Sequence, residues 1–207
     1  MKRIILLCLL FSISYSLHAQ FNFFRKSRND SKVTFGFKAG VNLSNMNFNK
    51  GVPAPAEPVE ASWKTGFVLG LLMDVPVVRK LHIQPEYLYL EAGGKNRNTG
   101  ADYSMSYVSL PVLFKYNVVE TLSLVAGPQF DLLIKATETV DGEESGTTHD
   151  TEERSIFGVV GLEFNVTKSF SLNARYLNGF NHIGIGQRSA VQEFKYEMAQ
   201  VGIGIRF

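Results

Sequence analysis

The chain has 207 residues, 45% of them apolar, with 21 basic and 19 acidic side chains. That length makes one medium domain. The apolar fraction is too low for a bundle of membrane-spanning helices, though not for a barrel of half-apolar strands, and a net charge of +2 is too small to point to nucleic acid.

The amino terminus reads as a secretory signal. Lys2 and Arg3 form its charged part and residues 4–13 its apolar part. Ten apolar residues are too few to span a bilayer. Leu17-His18-Ala19 is a fair cleavage site, and cleavage is expected after Ala19. The single cysteine, Cys8, lies inside the apolar part, preceded by the bulky Leu7, which argues against lipid attachment. A mature chain without cysteine has no disulfide, no thiol nucleophile and no zinc–cysteine site. Removing Lys2 and Arg3 takes the 21 basic residues to 19, equal to the 19 acidic ones.

Residues 20–33 form a short tail in which Phe21, Phe23 and Phe24 precede Arg25, Lys26 and Arg28. It reads either as a segment lying on the periplasmic surface with its aromatics at the interface, or as a disordered leader.

Eight strands are then expected, because apolar and polar residues alternate with period two. The first spans 34–45, with Phe35, Phe37, Ala39, Val41 and Leu43 opposite Gly36, Lys38, Gly40 and Asn42. The second spans 63–75, with Phe67, Leu69, Leu71 and Met73 opposite Gly66, Gly70 and Asp74. The third spans 81–93, with Tyr87 and Tyr89 opposite His82, Gln84 and Glu86. The fourth, 103–116, sets Val108 to Tyr116 against Ser109 and Lys115, and the fifth, 122–136, sets Leu122, Leu124 and Phe130 against Gly127, Gln129 and Asp131. The sixth, 154–164, carries Gly161 and Glu163 on its polar face, and the seventh, 170–180, carries Asn173 and Arg175.

The eighth strand, 193–207, ends the chain on Val201, Ile203, Ile205 and Phe207, opposite Gly202, Gly204 and Arg206. A terminal strand of this kind, ending in an aromatic, resembles the signal that outer-membrane barrels present to the barrel-assembly machinery. Connections alternate between short, near 77–80, 117–121 and 165–169, and long, at 46–62, 95–102, 137–153 and 181–192. An up-and-down barrel has short periplasmic turns and longer external loops. The fold expected is therefore all-β: an eight-stranded antiparallel transmembrane barrel over 34–207, with both termini periplasmic.

Alternation alone does not say which face is inside. The glycines Gly36, Gly40, Gly66, Gly70, Gly127, Gly161, Gly202 and Gly204 all share the polar face. Glycine weakens a strand, and a cramped lumen gives a reason to accept that. The same face holds Lys38, Lys115, Arg175 and Arg206 against Asp74, Glu86, Asp131 and Glu163, a balance suited to a paired interior. Phe35, Phe114, Tyr116, Phe164, Phe170 and Phe207 gather at the short-turn end, like an aromatic girdle. Two features fit less well. Pro85, Pro111 and Pro128 fall within strands and should cause bulges or shifted ends. Phe194, Tyr196 and Met198 are out of phase with 201–207, so either a bulge lies near Met198 or the strand projects above the membrane there.

Three stretches carry a family resemblance: Phe35-Gly-Phe-Lys-Ala-Gly-Val-Asn-Leu-Ser44, Tyr107-Val-Ser-Leu-Pro-Val-Leu-Phe-Lys-Tyr116 and Val201-Gly-Ile-Gly-Ile-Arg-Phe207. Together with the Ala19-Gln20 junction they resemble the PorT-type outer-membrane β-barrel family of the Bacteroidetes. The resemblance covers about 34–207 and implies an eight-stranded outer-membrane barrel without catalytic residues to carry over. It also implies a link to secretion across the outer membrane for the namesake, though not for every member.

No phosphate-binding glycine loop, HExxH or nucleic-acid motif is present. No catalytic, cofactor or metal residue is assigned. His149 and His182 stand in external loops near Asp141, Asp150, Ser145 and Ser189, which keeps a surface hydrolase or acyltransferase as an alternative. The acidic stretch 137–153, with Glu138, Asp141, Glu143, Glu144, Asp150, Glu152 and Glu153, reads as a solvated charge run or as a cation or partner contact. Its spacing matches no EF-hand. The expected role is structural or interactive in the cell envelope, as an accessory to secretion or envelope assembly, with a narrow pore as the alternative. The expected surroundings are outer-membrane lipid and lipopolysaccharide, together with an envelope protein partner.

Overall fold

Strands apolar on one face and polar on the other can satisfy every backbone group in lipid only by closing into a ring. The computed structural model describes residues 32–51, 55, 57–185 and 192–207. The signal segment and the tail up to residue 31 lie outside the described residues.

Eight long strands form the wall: β1 Thr34–Asn47, β2 Lys64–Val78, β3 Leu81–Asn96, β4 Asp102–Asn117, β5 Leu122–Val140, β6 Arg154–Asn165, β7 Phe170–Gly179 and β8 Gln192–Arg206. Each pairs antiparallel with its neighbour in sequence, and β1 closes the ring on β8. Short strands at Ala61–Ser62, Glu143–Gly146 and Ile183–Ile185 extend the wall at the loop end. The sequence boundaries lie within three residues of these, except that β5 runs four residues further, to Val140.

The prolines differ from expectation, and of the two forms expected near Met198 the bulge is absent. Pro85, Pro111 and Pro128 sit opposite Val112, Gln129 and Gly158 in unbroken register. A missing N–H removes one ladder bond, but the extended backbone of proline continues the strand. The register shifts fall elsewhere, between Pro76 and Val78 and between Ser106 and Tyr107. Nor is there a bulge at Met198. The β1–β8 ladder runs from Gly36 opposite Arg206 to Asn47 opposite Lys195 without a step. Phe194, Tyr196 and Met198 point inward, in phase with Gln200, Gly202 and Arg206. It is the chemistry of the two faces that changes.

The outward face is apolar from the turn end upward: Phe35 to Leu43 on β1, Phe67 to Met73 on β2, Val108 to Tyr116 on β4, Ala199 to Phe207 on β8. These spans are nine residues on β1, β4 and β8 and seven on β2, close to the length of a tilted strand crossing the hydrocarbon layer. The expected girdle is outward at the turn end, with Phe35, Phe114, Tyr116, Phe164 and Phe207 exposed and Phe170 half-buried. One step further up, the outward positions become Asn45, Thr65, Glu91, Ser106, Arg154, Asn178 and Glu197. Near that level the inward face changes the other way, from Lys38, Asn42 and Ser44 to Met46 on β1, and from Gln200 to Met198, Tyr196 and Phe194 on β8. The barrel is thus two stacked parts. The lower is apolar outside and charged within. The upper is polar outside and packed with hydrophobic side chains, like a water-soluble barrel.

The glycines face inward; at Gly204 the lumen-side Ser171 hydroxyl takes the room of a side chain, while at others the wall itself does so. A Cβ on Gly40 would lie 2.5 Å from Val201 O and 2.8 Å from Gly202 Cα, across the seam where the ring closes. The neighbouring strand's backbone, not a lumen side chain, occupies the space.

Candidate functional site

The eight charged residues predicted for the interior come one from each of the eight strands, and closure of the ring points all of them inward. They form two clusters. In the first, the Arg175 guanidinium grips Glu86 with two bonds, Nη1 to Oε2 at 2.7 Å and Nη2 to Oε1 at 2.6 Å. Gln84 Nε2 donates to the same carboxylate at 2.7 Å, and Lys38 Nζ lies 3.5 Å away. The bidentate fork is the strongest geometry available to such a pair.

The second cluster sits at the turn end. Lys115 Nζ bridges Asp74 Oδ2 at 2.9 Å and Glu163 Oε1 at 2.6 Å. Arg206 donates to Glu163 and, at 3.2 Å, to Asn165 Oδ1. His82 Nδ1 meets Asp74 Oδ1 at 2.5 Å, while its Nε2 faces the Asn117 amide at 3.1 Å. His82 is therefore one link of the turn-end network. A cavity of about 600 Å³ opens beneath this cluster, with Lys32, Glu120 and Lys168 at its rim.

Asp131 stands apart. It is 1% exposed; Gln129 Nε2 donates to it at 3.0 and 3.2 Å, and Ser109 stands opposite it on β4. No cation lies within ion-pair distance of it among the described residues. The structure gathers seven of the eight predicted charges into ion pairs and leaves this one out.

Above the charges, aromatic and methionine side chains fill the bore. Tyr107 and Tyr196 are fully buried with their rings edge to face, and both hydroxyls donate to Met105 Sδ at 3.1 Å. Phe194 meets Tyr196 edge to face at 4.9 Å, Phe157 packs on Tyr196 at 6.2 Å, and Phe48 from the turn after β1 closes the layer against Phe194 and Tyr103. Edge-to-face pairs of this kind add to the burial of their area. This layer was missed in the sequence. Its signal was there in the phase slip at Met198 and in Leu88 and Leu90, which share the face of Glu86.

Among the described residues no hydrogen bond joins the side chain of His149 or His182 to Asp141, Ser145 or Asp150, and Ser189 lies outside them. The acidic stretch is partly structured. Glu143–Gly146 pairs with Thr137–Val140 around a tight turn in which Asp141 and Gly142 have φ of 52° and 86°. Asp and Gly are the residues that tolerate that conformation. Among the described residues no three His, Cys, Asp or Glu side chains converge as metal ligands. Outside the wall, Lys50 Nζ lies 2.6 Å from Glu197 Oε1, and that hydrogen bond holds the ammonium pKa above its ordinary value.

Phe207, the last residue, pairs back onto β1 through a bond from its N–H to Phe35 O at 2.9 Å, and its ring lies 5.7 Å from Phe37. Val201, Ile203, Ile205 and Phe207 all face outward.

A solved barrel shares this architecture. Neisserial surface protein A aligns over 86% of this chain and 100% of its own, at 15% identity and a TM-score of 0.53. Ail, the attachment invasion locus protein of Yersinia pestis, aligns over 86% and 100% at 16% identity and a TM-score of 0.49. The likeness to Neisserial surface protein A speaks for the fold alone. No curated protein matches the chain. The model of the outer membrane protein beta-barrel domain matches residues 18–184, and the chain belongs to that family.

Proposed function

We propose that the protein is a non-conducting outer-membrane barrel that holds a folded β platform above the lipid as an interaction module of the cell envelope. The observation that carries this reading is the bore. Its lower half is bridged by ion pairs, and its upper half is filled by Tyr107, Tyr196, Phe157 and Phe194. An eight-stranded lumen is just wide enough for side chains to fill. The upper wall, polar outside and dry inside, is built to stand in water. In this reading the loop end faces outward and the turn end faces the periplasm. The resemblance to PorT-type barrels supports an accessory role in secretion or envelope assembly, with an envelope protein as partner.

Planar-bilayer recording tests the reading against a narrow pore. No steady open-channel current is expected from the unaltered protein, whereas sustained conductance would make the bore a water path. Cross-linking and co-purification from native membranes should then return an envelope protein. Heat-modifiable migration on gels tests the barrel itself, since a closed sheet resists detergent until boiled.

A further inference from the structure

The cavity beneath the second ion-pair cluster opens at the turn end, at the mouth of the bore. At about 600 Å³ it falls within the range of ligand pockets. Its floor is balanced in charge, with Lys115 and Arg206 against Asp74 and Glu163. One donor on that floor is still open. Arg206 gives Nη1 to Asn165 and Nη2 to Glu163, but its Nε has no hydrogen-bond partner, with Asp74 Oδ2 standing 3.8 Å off. Thr167 Oγ1, in the cavity wall, already accepts the Ser169 and Phe170 N–H groups, which leaves its own proton free to donate.

The rim is not balanced. Lys32, Arg79, Lys80 and Lys168 are exposed at the turn end, and none of them is in an ion pair among the described residues. Against them stand Glu120 and the terminal carboxylate of Phe207. The excess is continuous. The β2–β3 turn is tied to the end of β4 by the Asn117 N–H on Lys80 O at 2.8 Å. A second hollow, of about 460 Å³, lies between Arg79, Lys80 and Val119, and it shares Asn117 and Glu120 with the first. The two form one groove from Lys32 and Lys168 to Arg79 and Lys80. Exposed Val118, Val119 and Val166 line it.

We infer that this groove docks an extended, acidic segment of a periplasmic protein. The inference rests on the orientation given above, with the turn end in the periplasm. Four unpaired cations and a donating hydroxyl suit carboxylates, and opposite charge steers such a partner in and fixes its register. The valines suit apolar side chains between the acidic ones, which a free anion lacks. The groove opens at the mouth of the bore and not onto the lipid-facing wall. The segment before Lys32 carries Arg25, Lys26 and Arg28 against Asp30, the same sign as the rim, so charge complementarity points to a separate chain.

The test uses the mature barrel in phosphatidylcholine nanodiscs, which leave both ends open. The probe is a short fluorescent peptide of alternating glutamate and valine, read by anisotropy. The unaltered protein should bind it and not its lysine–valine counterpart. Lys32→Gln/Lys168→Gln should weaken binding roughly tenfold. Thr121→Phe, which fills the cavity without changing its charge, should weaken it as much. Lys95→Gln/Lys135→Gln at the loop end should leave it unchanged. All these side chains are exposed, and heat-modifiable migration checks that each barrel is closed. Full binding by either the Lys32→Gln/Lys168→Gln variant or Thr121→Phe overturns the proposal. So does displacement of the probe by inorganic phosphate as readily as by unlabelled peptide. Impermeant maleimide on intact cells tests the orientation separately. Lys168→Cys should label only after the outer membrane is opened. Labelling of intact cells overturns the orientation, whereas absent peptide binding with the expected labelling overturns this inference alone.

Discussion

At the scale of single residues, the interior charges separate into two kinds with opposite responses to substitution. Glu86 and Glu163 are both buried, and each holds two cations. Removing either carboxylate strands those cations, at about 3–5 kcal/mol when fully enclosed. Glu86→Ala and Glu163→Ala should lower the unfolding midpoint in detergent, while Glu143→Ala in the exposed hairpin leaves it unchanged. Asp131 has no cation to strand. Asp131→Asn keeps the contact with Gln129 and removes a buried charge, so its midpoint should equal or exceed that of the unaltered protein. A midpoint several degrees lower would show that Asp131 is paired in solution. The count of four against four was legible in the sequence. The odd one out was not, because pairing depends on which strands the closing ring brings face to face.

At the scale of elements, the strands were legible because lipid outside and a crowded bore inside both enforce period two. The expected bulges failed because proline's missing donor is a local loss, while register is held by the whole ladder. The aromatic layer failed for a different reason. Identifying the polar face with the inside holds only within the membrane, and above it the rule inverts. Leu88, Leu90 and Phe194 are inward on the strength of their parity, not their chemistry. The β1–β8 seam carries two predictions. Deleting Phe207 removes the final bond onto Phe35 and the aromatic end of β8. Outer-membrane levels should fall far below those after deletion of Phe21, measured by quantitative blotting of membrane fractions. Gly40→Val sets a branched side chain against the Val201 carbonyl and the Gly202 Cα, and should prevent closure. It would appear as protein that never acquires heat-modifiable migration.

At the scale of the whole molecule, the bore is stoppered at both levels, and the two stoppers are not equivalent. Thinning the upper one with Tyr107→Ala, Phe194→Ala and Tyr196→Ala together leaves the ion pairs below in place. The triple variant should show brief, small current steps at most, against none for the parent, in planar bilayers. Large steady currents would place the main barrier in the aromatic layer. The exchange of character between the two faces has one more effect, on depth. Sinking the barrel by a single residue pair would carry Asn45, Glu91, Arg154 and Glu197 into hydrocarbon, and raising it would expose Leu43, Phe67 and Ile156 to water. Each charge dragged toward the bilayer centre costs up to about 2–4 kcal/mol. The wall therefore carries its own waterline, and a bilayer a few ångströms thicker or thinner must bend to meet the barrel before the barrel will shift to meet the bilayer.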